Sequence, residues 1–279
     1  MKKYRLYILL FLFIFTACKK DGEVLNKTVT VRKTLPVLKG YTMVPLLKYF
    51  DGEETRGELY GSFAYNAGLA FENENDQTHM QLRNSITGEV VYEHTFKATD
   101  KPAEVPVLLY DGKKLKESHE YQDLSGADYL VNFNFNFPGA TEPIYLTLKV
   151  WESYLDPTTY DLVEFPAVSA TFSGGIKPGE WSEYVRLKPV AELVTITSQS
   201  PQEAIDMGLS FITHSVSITD AQGKPYPGFP DGNNMLNLQF PEQWTTTGKV
   251  QSIHGIIKKN DIGKNYLIAT NLAEKFPKK

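Results

Sequence analysis

Polar and aromatic side chains alternate with apolar ones along two neighbouring segments, 129–137 and 144–151. The positions that could bind a ligand are Asn132, Asn134, Tyr145, Lys149 and Trp151. Side-chain amides exchange hydrogen bonds with hydroxyl groups, and an aromatic ring can cover the apolar face of a sugar ring. The chemistry that these residue types offer is therefore recognition of a glycan rather than the making or breaking of bonds.

Two strands joined by a short turn would bring these side chains together. The sequence PGATEP at 138–143 predicts the turn, and pairing of Phe137 with Ile144 would begin an antiparallel hairpin. One face of that hairpin is wholly apolar, and the other carries amides, a hydroxyl, an amine and aromatic rings. A slip of one residue would mix the two faces, so we expect this register, with the polar face available for binding.

Two further tryptophans, Trp181 and Trp244, are alternative ligand-binding residues. Single exposed aromatic residues are common on protein surfaces that bind nothing. A solvated face without a ligand, or one covered by another element, is therefore the alternative for every residue named so far.

The histidines are scattered and do not predict a metal centre. They are His79, His94, His119, His214 and His254. No pair has the spacing of a zinc-binding helix, and the chain has a single cysteine, so we expect no metal and no cofactor. His214 shares a predicted strand face with isoleucine and valine, which indicates a position at the edge of the core. A pair of histidines brought together by folding could still hold haem, and that alternative stays open.

Catalytic motifs are also missing from the sequence. It contains no GxSxG nucleophile motif and no glycine-rich phosphate loop. The acidic segment 72–76 invites comparison with the paired carboxylates of glycoside hydrolases. Asparagines separate its acidic residues, which is typical of a solvated turn. We therefore expect a protein that is not an enzyme, with a glycoside hydrolase as the weaker alternative.

Composition excludes one class of partner. The 279 residues carry a formal net charge of −4, with 29 basic and 33 acidic side chains. Binding to phosphate backbones requires clustered lysine and arginine, and no run of four basic residues occurs. We expect no nucleic acid partner.

The pattern of short apolar segments bounded by turn residues predicts an all-β protein. We expect antiparallel β-sandwich architecture, immunoglobulin-like or related, with one short helix near 201–207. The polar stretch 111–128 is the expected connection between an N-terminal β domain at 28–110 and a C-terminal β domain at 129–279. A long loop inside one larger domain would produce the same pattern.

The N-terminus has the layout of a secretory signal. Lys2, Lys3 and Arg5 precede an apolar run that ends at Phe15 and is shorter than the roughly 20 residues of a membrane-spanning helix. The sequence Phe15-Thr16-Ala17-Cys18 resembles the lipobox of bacterial lipoproteins. The resemblance implies a signal peptide at 1–17, lipid attachment at Cys18 and a flexible tether at 18–27.

The charged residues after Cys18 resemble the export tags of surface lipoproteins of Bacteroidota. That resemblance implies an outer-membrane lipoprotein, with the cell surface favoured over the periplasmic side. We therefore expect a lipid-anchored accessory protein that binds a ligand, with a glycan taken up by a nutrient-uptake system as the leading candidate. An adhesion or surface-assembly component that binds another outer-membrane protein is the alternative.

Overall fold

The structure is a computed structural model that describes residues 30–229, 234–241, 248–259 and 262–277. The predicted signal peptide, Cys18 and the tether lie outside these residues, as does Trp244. Within the described ranges β-strands predominate and helices are short, which confirms the all-β prediction.

Strands β1 to β6 form one sheet, which we call the N-terminal sheet. Its order is β4-β3-β1-β5-β6, and β2 pairs with β1. The bounds are β1 Val31–Phe50, β2 Glu53–Phe71, β3 Gln77–Asn84, β4 Val90–Lys97, β5 Val107–Tyr110 and β6 Leu115–Lys116. Strand β6 falls within the predicted connection 111–128.

Strands β1 and β2 are far longer than the short strands that the turn signals predict. The Asp51-Gly52 turn joins them, with φ of 49° and 88°, as a tight hairpin turn with positive φ at both central residues requires. On its other side β1 pairs in parallel with β5 and then, further along, antiparallel with β3. Three irregularities in the β1–β2 register bend the pair around an apolar core.

Two further sheets form a sandwich. The inner sheet, which lies against the N-terminal sheet, has the order β11-β7-β14-β15, and the outer sheet has the order β10-β8-β12-β13, with β9 on β8. The bounds are β7 Tyr129–Asn136, β8 Ile144–Leu155, β9 Leu162–Glu164, β10 Val168–Ile176, β11 Val185–Leu187, β12 Ser210–Thr219, β13 Met235–Leu236, β14 Lys249–Lys259 and β15 Asn265–Asn271.

The predicted hairpin between β7 and β8 is wrong. Strand β7 pairs with β11 and, in parallel, with β14, whereas β8 pairs with β10 and β12 in the other sheet. The 138–143 segment therefore carries the chain from one sheet to the other instead of reversing it within a sheet. The predicted apolar face is nevertheless the core, because Phe133, Phe135, Leu146 and Leu148 are completely buried in one cluster between the two sheets.

Three helices of about one turn accompany the strands. They are α1 Val190–Leu193, α2 Gln202–Asp206 and α3 Leu272–Lys275. Helix α2 is the predicted helix, but no side chain of the described ranges caps its N-terminus. The hydroxyl of Ser200, the residue before Pro201, lies 3.0 Å from the hydroxyl of Ser210.

A buried carboxylate holds the segment before α2 against the outer sheet. Glu152 is 3% exposed and accepts hydrogen bonds from Ser198 Oγ at 2.7 Å, the Gln199 backbone N–H at 2.6 Å and Ser210 Oγ at 3.1 Å. Burial alone would raise the pKa of this carboxyl. The Gln199 backbone and the hydroxyls of Ser200, Ser198 and Ser210 outweigh burial and lower the pKa of Glu152 to about 2.

The N-terminal sheet packs on the face of the inner sheet that is turned away from the sandwich core. Lys258 Nζ on β14 donates to the backbone oxygen of Tyr60 at 3.2 Å, and Asn136 Nδ2 on β7 donates to that of Met43 at 3.2 Å. A small apolar cluster completes the contact, formed by Tyr41, Met43, Leu109, Leu272 and Phe276. These contacts leave an open cleft along β7.

Candidate functional site

A cleft of about 590 Å³ lies where the N-terminal sheet meets the inner sheet. Residues from four parts of the chain line it: β1, the segment around β6, strand β7 and the loop after β10. The lining residues are Met43, Val44, Asp111, Lys113, Lys116, His119, Glu120, Asn132, Asn134, Asn136, Gly179, Glu180 and Trp181.

Three asparagines of β7 contribute to the cleft because they alternate with the core residues of that strand. Asn132, Asn134 and Asn136 occupy every second position, so they share the face opposite Phe133 and Phe135. Asn132 is 6% exposed and Asn134 is 4% exposed, so both amides are removed from bulk water.

The Asn134 amide has a fixed orientation. Its Nδ2 donates to the backbone oxygen of Gly179 at 3.2 Å, and a flipped amide would instead place two oxygens against each other. The side-chain oxygen of Asn134 is buried and has no hydrogen-bond partner among the described residues, and the same is true of Asn132. An unpaired buried acceptor costs about 1–3 kcal/mol of folding free energy, so a hydrogen-bond donor beside each oxygen would stabilise this face of β7.

The loop after β10 positions Trp181 at the cleft. Gly179 N donates to the oxygen of Phe135 and Ser182 N to that of Phe133, both at 2.8 Å. Phe133 N in turn donates to Ser182 Oγ at 3.0 Å. These bonds hold the segment 179–182 along the edge of β7, so the half-buried indole of Trp181 is fixed beside the asparagines.

His119 forms an aromatic wall with Trp181 and Tyr121. Its ring centroid lies 5.2 Å from that of Trp181 and 4.8 Å from that of Tyr121. The Tyr121 hydroxyl donates to the backbone oxygen of Phe276 at 2.7 Å, which ties this wall to the C-terminal segment. Burial, reinforced by the nearby charge of Lys116, lowers the pKa of His119, and within the described part of the chain its buried Nε2 has no hydrogen-bond partner.

Charges around the cleft are balanced. Lys116 Nζ lies 2.5 Å from the Asp111 carboxylate, which also accepts the backbone N–H groups of Lys113 and Lys114 at 2.9 Å. Burial works to raise the pKa of Asp111, but Lys116 and these two backbone N–H groups lower it overall. Glu180 pairs with a lysine outside the cleft, at 3.7 Å. The cleft therefore has no strong excess of either sign.

The predicted binding residues do not share one face. Because β7 and β8 belong to different sheets, Asn132 and Asn134 lie at the cleft, while Tyr145, Lys149 and Trp151 lie on the far side of the sandwich. The single polar face expected from a hairpin is therefore wrong. Trp181, predicted only as an alternative, joins the two asparagines at the cleft.

The far side of the sandwich carries a second concavity of about 590 Å³, which we call the outer groove. Its floor is formed by the outward-facing side chains of β8, β10 and β12. The lining residues are Thr147, Lys149, Trp151, Glu164, Phe165, Ala167, Ser169, Ser215, Ser217, Thr219, Gly223, Pro225, Asn234 and Met235.

Three other histidines, His79, His94 and His214, each contact a side chain of the same sheet or core. His79 lies 3.7 Å from Glu93, and the rings of His94 and His214 contact those of Phe96 and Phe240. None of the described residues belongs to a group of three or more His, Cys, Asp or Glu side chains placed to hold a metal ion.

The acidic segment 72–76 is the solvated turn that its asparagines predict. It links β2 to β3. The Asp76 carboxylate accepts the backbone N–H groups of Glu72 at 2.6 Å and Asn73 at 3.1 Å. This carboxylate therefore stabilises the turn itself.

Sequence patterns missed His119, Asp111 and Lys116 as cleft residues. All three lie in or beside β6, within the stretch predicted to be a connection. Nothing in their local spacing indicates the cleft, because only packing of the N-terminal sheet on the sandwich brings them to β7.

Comparison with known proteins does not assign the chain to a family. No protein-family model matches the chain, and a search of curated proteins finds no significant match.

Among the helices of the described ranges, none has the length and apolar character needed to cross a membrane.

Proposed function

We propose that this protein is a non-enzymatic ligand-binding protein of the cell envelope and that it binds a neutral carbohydrate in the cleft beside β7. The observation that carries the proposal is the pair of buried, unpaired side-chain oxygens of Asn132 and Asn134. These oxygens are closed to solvent, so small side-chain movements must expose them to the ligand, and a hydrogen bond donated to each would then remove the cost of leaving them unpaired.

Hydroxyl groups fit these acceptors. Residues two apart on a strand are separated by about 6.5–7 Å, a distance that adjacent or alternate hydroxyl groups of a saccharide can span with small side-chain adjustments. The Asn134 nitrogen is already engaged with Gly179, so its oxygen is the atom left for the ligand. Amides neither take nor release protons near neutral pH, which favours binding without turnover.

Charge balance favours a neutral ligand over an amine. An ammonium group would also donate to the asparagine oxygens, but it would lose hydration on entering the cleft. The Asp111 carboxylate is already compensated by Lys116 and two backbone N–H groups, so it offers that ammonium little in return. Hydroxyl donors carry a much smaller desolvation cost.

Trp181 supplies the apolar part of the proposed site. Saccharide rings combine donor hydroxyls with an apolar face of C–H groups, and an indole beside amides matches both. The hydrogen bonds of the 179–182 segment hold the indole in place before binding, which reduces the entropy lost when the ligand binds.

The proposed location rests on the N-terminal sequence. The apolar leader followed by Ala17-Cys18 supports lipid attachment to Cys18, and the charged residues beyond it support a short tether. A carbohydrate-binding protein held at the outer membrane would concentrate its ligand there, consistent with a role beside a nutrient-uptake system.

Titration of the protein against a panel of neutral oligosaccharides, by calorimetry or on a glycan array, tests the proposal. Asn132→Leu should weaken binding by about tenfold or more, because one hydrogen bond to the ligand is lost and the site becomes apolar. The same variant should leave the free energy of unfolding unchanged or slightly higher, since it removes a buried unpaired polar group.

Trp181→Ala provides the second variant, and Trp151→Ala in the outer groove is its matched control. Only the cleft variant should lose binding of the neutral ligand. The proposal fails if no neutral oligosaccharide binds, or if a bound oligosaccharide is insensitive to both Asn132→Leu and Trp181→Ala.

A further inference from the structure

The outer groove differs from the cleft in its chemistry. Hydroxyl side chains dominate its floor, with Thr147, Ser217 and Thr219 on two adjacent strands. Thr147 Oγ1 and Thr219 Oγ1 lie 2.9 Å apart, so the hydroxyls already form a connected row. Small side chains of this kind leave the sheet surface open to a ligand.

Lys149 stands at the centre of this floor. It pairs across the sheet with Ser169 on β10 and with Ser215 on β12, so a hydroxyl side chain flanks it on each side. Lys149 is exposed, and among the described residues no carboxylate or other acceptor engages its ammonium group. A cation between two hydroxyls can hold an anionic oxygen group by charge and by hydrogen bonds together.

Aromatic side chains flank the lysine along β8. Trp151 lies two positions after Lys149 on the same face and is half-buried. Tyr145 lies on this face as well, and its ring is packed so closely on Gly174 that a Cβ there would lie 2.2 Å from the ring. The face therefore carries a row of four groups over about 20 Å of extended strand: the Tyr145 ring, the Thr147 hydroxyl, the Lys149 ammonium and the Trp151 ring.

We infer that the outer groove is a second ligand site, independent of the cleft, and that it binds an acidic polysaccharide chain lying along β8. The acidic group of one sugar is held by Lys149, Ser169 and Ser215, and the next ring packs on Trp151. Charge complementarity at Lys149 selects an anionic chain, and carboxylate and sulfate groups share the required chemistry.

Glu164 makes one end of the groove unfavourable for an anionic group. It pairs with Ser153 on β8, four residues beyond Lys149 and therefore about 13 Å away along the strand. An acidic group near Lys149 is attracted, whereas one beyond Trp151 meets the carboxylate of Glu164. The groove therefore favours a chain whose acidic sugar lies at Lys149 and whose sugars beyond Trp151 are neutral.

Affinity electrophoresis of the mature protein through gels containing a polysaccharide tests the inference. The probes are polygalacturonate, which carries carboxylates, carrageenan, which carries sulfates, and neutral dextran. Retardation is expected with one or both acidic probes and should weaken as salt is raised to about 0.5 M, because ions screen an exposed charge. Dependence on one acidic probe alone identifies which anion the site takes.

Variants separate this site from the cleft. Lys149→Gln should weaken retardation by about fivefold, Lys149→Arg should preserve it, and Glu164→Gln should strengthen it by removing the opposing charge. Asn132→Leu in the cleft is the control and should leave retardation by the acidic probes unchanged.

The inference is overturned if neither acidic probe retards the protein, or if Lys149→Gln migrates as the unmodified protein does. Equal retardation by neutral dextran that persists in Lys149→Gln would likewise overturn it. These outcomes are distinct from failure at the cleft, which is measured with neutral oligosaccharides and with Asn132→Leu.

Discussion

The phenol oxygen of Tyr41 on β1 lies 2.8 Å from Nδ1 of His254 on β14, and both residues are buried. Their rings meet edge to face, with centroids 5.5 Å apart. This hydrogen bond joins the N-terminal sheet to the inner sheet across 213 residues of sequence. Burial lowers the pKa of His254 to about 3 and raises that of Tyr41 to about 12, so both side chains are neutral at physiological pH.

Mild acid should destabilise the protein through His254. In the unfolded chain this imidazole titrates near its ordinary pKa of about 6.5. Below that pH the unfolded state therefore binds a proton at His254, whereas the folded state does not until the pH approaches 3. The free energy of unfolding is therefore unaffected by this group above about pH 6.5 and falls from there towards pH 3, approaching about 1.4 kcal/mol per pH unit.

Urea unfolding between pH 7 and pH 5 measures this effect. His254→Gln should flatten the pH dependence, whereas the exposed His94→Gln should retain it. An unchanged slope in His254→Gln would show that another group causes the acid sensitivity.

Glu152→Gln should destabilise the sandwich by about 1–3 kcal/mol, because four hydrogen-bond donors lose a charged acceptor. The folded-state pKa of Glu152 is depressed, so its contribution is complete above the ordinary carboxyl pKa of about 4.5 and is lost as pH falls towards 2. Chemical denaturation at pH 7 and at pH 3 should show a smaller difference between the two proteins at pH 3. Glu164→Gln, at an exposed position on the same sheet, should change stability by less than about 0.5 kcal/mol.

Gly40→Ala should prevent stable folding of the N-terminal sheet. Gly40 has φ of +150°, and a Cβ on it would lie 1.8 Å from the backbone oxygen of Leu108 on the paired strand β5. The strands must separate to relieve this clash, at an expected cost of more than about 3 kcal/mol. Gly68→Ala on β2 is the matched control, since no atom of the described residues beyond its two chain neighbours lies within 4 Å of its added carbon. Thermal melting should separate the two, and equal melting temperatures would contradict the close approach of β1 and β5.

Cys18→Ala should release the protein from the membrane fraction into the soluble fraction of the cell envelope. Two or three acyl chains contribute about 0.8 kcal/mol for each buried methylene, so their loss removes the proposed anchor. Fractionation followed by immunoblotting measures the distribution. Continued membrane association of Cys18→Ala would favour an uncleaved apolar leader as the anchor.

The alternation of apolar and polar residues correctly predicted which side chains of β7 and β8 enter the core. That information is local, because successive side chains on any strand point to opposite faces. Which strands pair with each other cannot be predicted from the alternation within one strand. Both strands carry the same pattern whether they pair with each other or face each other across a sandwich, so the hairpin and the shared polar face could not be distinguished from the arrangement seen here.

The sequence predicted only some of the residues that line the cleft. Asn132, Asn134 and Trp181 stood out by type, whereas His119 and Asp111 lay in a polar stretch without periodicity. Their positions depend on how the N-terminal sheet packs on the inner sheet, which is a tertiary property. Ser200 does not cap α2, because its hydroxyl lies against that of Ser210, which donates to Glu152.

Strand β7 also makes this protein a promising scaffold for engineering. Its odd-numbered positions, from Tyr129 to Phe135, build the core, and its even-numbered positions, from Asn132 to Asn136, line the cleft. A combinatorial library randomised only at the three asparagines would therefore vary the recognition surface and leave the core sequence intact. Selection from such a library could yield new specificities without redesign of the fold.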